Sequence, residues 1–329
     1  MRFLSARQRF LIYHRYVKPV RNAVLGTGAV RLIHAIERMD RKRAANAAAA
    51  VMRRLGPLLP EHRLGRHNLR LAFPEKSDAE IERILIGAWD NLARVAVEFT
   101  HLHEFCLKDF GRQTEDVVGY SPETLAHFHE LLTNGKPAII FAAHLANWEL
   151  PALAASSVGA KSAVLFRRPN IPAIADAIVR TREPLMGSLV QTTLDAPIRL
   201  ARLLQSGAHV GMLVDQHFRG GVEVMFFGRR CLANPLLASL ARQTECRIHG
   251  IRVVRLPNGN SFWGEFTGPI DPPRDRDGRI AVQDTMQVIT SVIEGWVREH
   301  PEQWLWLHRR WRPQCATSAG HRRHTATTS

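Results

Sequence analysis

The sequence predicts an α/β fold in which helices flank a central, mostly parallel sheet, preceded by a helical N-terminal region. After about residue 119, short apolar runs alternate with amphipathic segments, as expected when a parallel sheet is covered on both faces. Residues 1–110 contain few strand-like runs and read as helical. The 329 residues, 45% of them hydrophobic, suffice for a large core.

The N-terminal region, residues 1–110, is strongly basic. Residues 1–70 carry a net charge of +13 and the tail from His308 onward +5, which leaves −3 between them in a chain of net charge +15. Arg7–Lys18 interleaves cations with aromatic and aliphatic residues, which is typical of a helix lying in a membrane interface. An amphipathic helix packed on the body is the alternative. A nucleic-acid partner is not expected, because no binding module accompanies the charge.

The predicted body, residues 111–313, contains alternating strands and helices, whereas residues 314–329 are rich in Ser, Thr, His and Arg and are predicted to be disordered. In the N-terminal region, helical spacing of apolar residues after a Ser cap predicts a helix over Ser77–Thr100. Predicted strands are Ala138–Ala143, Ser162–Phe166, His209–Val214, Arg247–Val254 and Phe262–Thr267. Predicted helices of the body are Trp148–Ala155, Ile171–Arg182, Pro197–Gln205, Asn234–Thr244 and Ala281–Glu299.

Several classes of protein are not expected. No run approaches the roughly 20 apolar residues that span a bilayer, and no signal peptide is recognisable. The four cysteines are scattered without metal-ligand spacing, so neither a disulfide framework nor a metal site is predicted. No cofactor is predicted either.

The segment His144–Glu149 is the most informative motif. It places an imidazole after a predicted strand and a carboxylate five positions later, without a nucleophilic Ser or Cys motif. On one continuous helix the two side chains would not share a face, so contact requires His144 in the loop and Glu149 in the first helical turn, with Asn147 as a plausible cap. The pattern predicts a general base that activates a substrate hydroxyl, with Glu149 orienting His144. A buried histidine beside a surface glutamate is the alternative.

Other polar residues follow neighbouring strands and should gather at the same edge of the sheet. Arg167 and Arg168 follow the second predicted strand and Asp215 the third, and ligands of such sheets collect at the carboxyl ends of strands. Arg180 and Arg182 end the helix after the second strand. Arginines here suit a phosphate or an oxyanion, although each could be a solvated helix charge. Asp215 could bind Arg180 or Arg182 or a sugar hydroxyl, or cap a helix.

Two further segments are candidates for the site. Phe226 and Phe227 could line a channel for an acyl chain or form an apolar turn. The block Pro301–Trp311 would place Trp304 and Trp306 on one face if extended, most simply in the core. Arg309 and Arg310, in the same block, are candidate substrate ligands.

Seven short segments, in order over about residues 63–312, resemble the late acyltransferases of bacterial lipid A biosynthesis, within the lysophospholipid acyltransferase superfamily. The segments are Arg66–Pro74, His144 with Asn147–Glu149, Arg168–Asn170, Arg180–Arg182, Asp215–Gln216, Phe226–Gly228 and Pro301–Trp311.

The resemblance implies transfer of a fatty acyl group from an acyl-carrier-protein thioester to a hydroxyl of a lipid A precursor. His144 would be the general base, Glu149 its orienting partner, and Arg180, Arg182 and Asp215 part of the site, with Arg182 on an oxyanion or phosphate. A polyanionic acceptor and an acidic donor would suit the basic ends. Many relatives carry an N-terminal membrane-spanning helix, which this sequence does not show, so peripheral attachment to the cytoplasmic face of the inner membrane is expected.

Three alternatives remain. Related enzymes acylate other glycolipids and use acyl-coenzyme A as the donor. A hydrolase would send the acyl group to water, as a thioesterase does. A non-catalytic adaptor would keep the fold and use only the basic ends to bind lipid or protein.

Overall fold

A computed structural model describes Arg15, residues 18–105 and residues 118–312 of the chain. The predicted tail at 314–329, the boundary between residues 110 and 111, and nearly all of the basic stretch Arg7–Lys18 lie outside the described residues. Over the rest, the predicted α/β fold with a mostly parallel central sheet flanked by helices is confirmed.

Four helices make up the described part of the N-terminal region: α1 Lys18–Ile36, α2 Arg41–Leu55, α3 Pro60–Ala72 and α4 Asp78–Thr100. Helix α2 begins where the Asp40 carboxylate accepts a hydrogen bond from the Arg43 N–H (2.8 Å), and α4 begins at a capping box formed by Ser77 and Glu80. Within the residues described, none of the helices combines the length and apolarity needed to cross a bilayer. Membrane association of this region remains a prediction.

The body is built on a seven-stranded sheet in the order β1-β9-β8-β2-β5-β3-β4. Strands β8, β2, β5, β3 and β4 run parallel, whereas β9 runs antiparallel to β8 and carries β1 beside it. The strands of the sheet are β1 Val118–Tyr120, β2 Ala138–Ala142, β3 Ser162–Phe166, β4 Ser188–Gln191, β5 His209–Leu213, β8 Arg247–Arg255 and β9 Phe262–Ile270.

Helices cover both faces of this sheet. They are α5 Pro122–Thr133, α6 Leu150–Ser157, α7 Pro172–Arg182, α8 Ala196–Gln205, α9 Leu236–Thr244 and α10 Val282–Glu299. One core packs apolar side chains of α8, α9 and α10 against the sheet, and a second lies between the sheet and helices α5 and α6. The strands therefore separate two apolar layers, and the loops after the parallel strands share one edge.

A separate hairpin, β6 Val222–Phe226 and β7 Arg229–Ala233, was not predicted. Its two-residue turn holds Phe227 and Gly228 at φ 52° and 66°, the positive values that a tight hairpin turn requires. Glycine reaches this region freely, whereas Phe227 is held there by packing. The segment Pro301–Trp311 is not an extended strand. It begins with a 3-10 turn, Pro301–Gln303, and continues as irregular chain.

Candidate active site

His144 and Asp215 meet at the carboxyl ends of two adjacent parallel strands. Ala142 of β2 lies opposite Leu213 of β5, and His144 and Asp215 each come two residues later. The His144 Nδ1 lies 2.7 Å from Asp215 Oδ1, and the His144 backbone N–H donates to Oδ2 (2.9 Å). The register of the strands therefore produces an Asp–His pair from residues 71 positions apart.

The environment of Asp215 keeps its carboxyl group ionised. Its side chain is fully buried, and the Trp304 indole Nε1–H also donates to Oδ2 (2.8 Å). Burial alone would raise the pKa of Asp215, but the adjacent His144 ring and its hydrogen bonds lower that pKa well below its ordinary value. An ionised Asp215 accepts a hydrogen bond from the Nδ1–H of His144 and leaves Nε2 unprotonated, which is the form that can act as a base.

The other ring nitrogen of His144 faces a more open environment. The amide nitrogen of Gln216 lies 3.3 Å from Nε2, and the His144 side chain is 15% exposed. The ring of Trp148 lies at a centroid distance of 5.1 Å and forms one side of the position. Nε2 is thus the ring nitrogen placed for contact with a substrate.

The predicted contact between His144 and Glu149 is wrong. Helix α6 begins at Leu150, and Glu149 sits just before it, its backbone N–H bound to the Asn147 side chain (3.1 Å). Both oxygens of the buried Glu149 carboxylate accept hydrogen bonds from Arg182, with Nε at 2.9 Å from Oε2. The Glu149 carboxylate is thus bound by Arg182, the last residue of α7, and the His144 ring is bound by Asp215 instead.

Arg182 completes a second charged pair at this edge. Its guanidinium lies over the rings of Phe99 and Phe166, at 5.5 and 5.9 Å from the ring centroids, which fixes it in addition to Glu149. It is 17% exposed, so one face of a held cation reaches the space that His144 also reaches. Such a cation suits a developing negative charge.

A cavity of about 570 Å³ runs from His144 along one face of the sheet. It lies between the strands β2, β3 and β5 and the helices α5 and α6. The described residues that line it are largely apolar, including Phe128, Leu131, Leu132, Ile140, Ala142, Trp148, Pro151, Ala152, Ala155, Val164, Leu165, Phe166, Met186, Met212 and Leu213. His144, Glu149, Arg167, Arg182, Gln216 and His217 provide polar groups. An apolar space with a few convergent polar groups is typical of a small-molecule site.

A buried polar network holds the loop that carries His144. The Asn147 side chain donates to Glu98 of α4 (2.9 Å), which forms a buried ion pair with Arg255 of β8. Asn91 donates to the carbonyl of Ala146 (3.2 Å), a non-glycine residue at φ 46°. These contacts fix the left-handed backbone at Ala146 between His144 and Asn147.

The bacterial lipid A biosynthesis acyltransferase family model matches residues 13–313. The chain belongs to this family. It is therefore an acyltransferase. A search of curated proteins finds no significant match.

Only some of the arginines predicted for the acyltransferase site line the cavity. Arg167 and Arg182 do so, whereas Arg168 is paired with Asp176 on the exposed side of α7. Arg180 and Arg309 are exposed and do not belong to the lining. The predicted gathering of residues at one edge of the sheet therefore holds for His144, Arg167 and Asp215. Asp215 contacts His144 and not Arg180 or Arg182.

Phe226 and Phe227 do not line the cavity. Both are buried on the opposite side of the sheet, where Phe226 packs on Trp304 (5.6 Å between centroids) and Phe227 on Phe73 (5.1 Å). The acyl channel predicted from these two residues is thus replaced by an aromatic core. Arg310 is also buried there, donating to the carbonyl of Leu232 (2.9 Å) and lying over the Phe226 ring, which is a structural position.

The structure also explains segments of the family motif that make no contact with the cavity. In Arg66–Pro74, the side chain of Asn68 donates to the carbonyls of Trp306 and His308 (2.8 and 2.7 Å). This anchors the block that positions Trp304, which was expected in the core but not as a donor to Asp215. The one sequence signal for this hydrogen bond is general: the indole N–H of a tryptophan buried in the core needs an acceptor.

Proposed function

We propose that this acyltransferase moves a fatty acyl group from an acyl-carrier-protein thioester to a hydroxyl of a lipid A precursor. The observation that carries the proposal is that His144, paired with the buried Asp215, lines a largely apolar cavity. Among the described residues, no serine or cysteine side chain is hydrogen-bonded to His144, and a base of this kind suits direct transfer between two bound substrates. The cavity, and not Phe226 and Phe227, takes the acyl chain.

In the proposed reaction, His144 Nε2 removes the proton of the acceptor hydroxyl as its oxygen attacks the thioester carbonyl carbon. Asp215 stabilises the resulting imidazolium through Nδ1. Arg182, held by Glu149, stabilises the oxyanion of the tetrahedral intermediate or a phosphate of the acceptor. The C–S bond then breaks, and the leaving thiolate takes the proton from His144. The role of Glu149 is to position Arg182.

The charge distribution supports anionic partners for this reaction. Arg167 lies on the cavity lining and is exposed, and Arg168 and Arg180 are exposed nearby in the sequence. An acidic carrier protein and a phosphorylated acceptor would both be attracted to these cations and to the basic N-terminal region, with a strong dependence on salt. The same cations support the proposal that the enzyme attaches peripherally to the inner membrane, at its cytoplasmic face.

Replacement of His144 tests the proposal. We expect His144→Ala to reduce transfer from a purified acyl-carrier-protein thioester to a lipid A precursor by about 10²–10⁴-fold, because the general base is lost. Mass spectrometry of the acylated lipid measures the product. His129→Ala, at an exposed histidine outside the cavity, is the matched control and should retain wild-type activity.

Three results would contradict the proposal. A transfer rate of His144→Ala within a few-fold of the wild-type rate would show that His144 is not the general base. Release of free fatty acid in place of acylated lipid, with acceptor present, would indicate a hydrolase. Transfer from acyl-coenzyme A, with none from the acyl-carrier-protein thioester, would show that the donor is acyl-coenzyme A.

A further inference from the structure

Three neighbouring strands present one row of residues to the middle of the cavity. Gly211 of β5 is paired with Ile140 of β2 on one side and with Val164 of β3 on the other. All three line the cavity and are only half-buried, although they lie in the centre of a seven-stranded sheet. The surface that they leave uncovered therefore belongs to the cavity wall.

Gly211 makes a gap in this row. A Cβ built there would meet only the carbonyl oxygen of Ala163, at 3.9 Å, which is ordinary van der Waals contact. Its backbone is not in the left-handed region, so the strand geometry does not require glycine. Glycine inside a strand weakens it and often marks a place where a ligand approaches closely. The missing side chain leaves open space in the cavity.

The next row deeper into the cavity is polar. Ser162 is paired with His209 at the amino ends of β3 and β5, and both line the cavity. The Ser162 hydroxyl is buried without a hydrogen-bond partner, whereas His209 Nδ1 accepts from the Ala138 N–H (3.2 Å). An apolar chain gains nothing by covering the Ser162 hydroxyl, because its hydrogen bonds would stay unmet. Ser162 and His209 thus form a polar row on the lining at the ends of β3 and β5 that lie away from His144, and we call this row the floor of the cavity.

We propose that Gly211 determines the length of acyl chain that the enzyme accepts. The inference rests on the proposed function. With no side chain at position 211, a chain that enters beside His144 passes between Ile140 and Val164 and ends at the Ser162–His209 floor. A side chain at 211 closes the cavity two residues earlier, about 7 Å along the strand.

Graded substitution of Gly211 tests this inference. The full chain and its Gly211→Ala and Gly211→Val variants are given an equimolar mixture of acyl-carrier-protein thioesters of different chain lengths, and the products are weighed by mass spectrometry. We expect Gly211→Val to shift the preferred chain shorter by about four to six carbons, which is the number of zigzag bonds in roughly 7 Å. Gly211→Ala, which adds one methyl group, should give a smaller shift.

The control is Gly295→Ala in α10, where a Cβ meets nothing within 4 Å and which does not line the cavity. It should keep the wild-type chain-length profile. An unchanged profile in Gly211→Val, or an equal loss at every chain length, would overturn the inference. Gly211→Ala keeps the test decisive if the valine variant does not fold.

A binding measurement separates this inference from the proposed function. Free fatty acids of increasing length are titrated into the wild type and Gly211→Val by calorimetry. Loss of affinity confined to the longer acids supports the role of Gly211 even if no thioester is turned over, whereas equal affinities in both proteins contradict it. A wild-type enzyme that binds fatty acids but transfers none would contradict the proposed function alone.

Discussion

The position of one proton decides whether His144 can act as a base. The ionised Asp215 carboxylate accepts hydrogen bonds from the His144 ring (2.7 Å), from the His144 backbone N–H and from Trp304. Its oxygen Oδ1 therefore faces Nδ1 as an acceptor. The lowered pKa of Asp215 means that it stays ionised at neutral pH. The proton therefore resides on Nδ1, and Nε2 keeps its lone pair towards the cavity.

Replacement of Asp215 by Asn tests this arrangement. The amide of Asp215→Asn keeps the size of the side chain but presents an N–H to Nδ1, which favours the tautomer with its proton on Nε2. We expect kcat to fall by about 10²–10⁴-fold, with folding retained in circular dichroism. Asp176→Asn, which changes an exposed partner of Arg168, should leave kcat near the wild-type value. An Asp215→Asn variant that keeps more than about a tenth of kcat would show that Asp215 does not set the tautomer.

At the scale of elements, a buried ion pair between α4 and β8 holds the loop between β2 and α6. Glu98 of α4 is fully buried and accepts from both Arg255 of β8 and Asn147 of the loop. Arg255 also donates to Asn91 (2.9 Å), which in turn holds the Ala146 carbonyl. Helix α4, strand β8 and the loop are thus joined through one charge pair, which acts together with the hydrogen bond from the Ala146 N–H to the Gln303 carbonyl (3.0 Å).

Glu98→Gln should therefore destabilise the whole protein. It leaves the Arg255 guanidinium buried without a counter-ion, which costs about 3–5 kcal/mol of unfolding free energy. Urea denaturation followed by fluorescence measures the loss. Glu130→Gln, which breaks the exposed pair with Arg247, should cost no more than about 1 kcal/mol. Equal stability of the two variants would mean that the buried network does not hold the loop.

The elements were more predictable from the sequence than the contacts of the site. Strands β2, β3, β5, β8 and β9 have strong apolar runs and were placed within a few residues, and the gathering of His144, Arg167 and Asp215 at one edge follows from parallel strands alone. The order of strands does not follow from a single sequence. Unless β5 is known to lie beside β2, Glu149, which is near His144 in the sequence, is a better candidate partner than Asp215, which is distant in the sequence.

Apolar composition also failed to separate the cavity from the core. Phe226 and Phe227 have the side chains of a channel wall, but the hairpin turns them into the layer formed by Trp304, Trp306 and Phe73. Part of the lining comes from small and branched strand residues such as Ala142, Val164 and Gly211, which look in the sequence like any buried strand. Only the packing of α5 and α6 leaves space on their side of the sheet.

At the scale of the whole molecule, apolar and basic residues are exposed together in the N-terminal region. Leu55, Leu58 and Leu59, at the end of α2 and the start of α3, are 51%, 78% and 39% exposed, and residues 1–70 carry a net charge of +13. Leu32 of α1 is also 61% exposed. Exposed apolar side chains within a segment of sequence that is strongly basic suit the headgroup region of an anionic membrane, which would bring the cavity to a lipid acceptor.

Vesicle binding by the full chain tests this surface. We expect co-sedimentation with vesicles that contain anionic lipid, and weaker binding as salt rises. Replacing Leu55, Leu58 and Leu59 together by Ser should lower the affinity for vesicles by about tenfold or more, because three leucines that become partly buried in the membrane contribute several kcal/mol to binding. The matched control replaces Leu194 and Ile198, which are 103% and 58% exposed in the body, by Ser. Binding that survives the triple substitution but is lost in the control would place the membrane contact on the body, beside α8. Equal binding to neutral and anionic vesicles at every salt concentration would show that the basic residues do not contribute to binding and that only the leucines do.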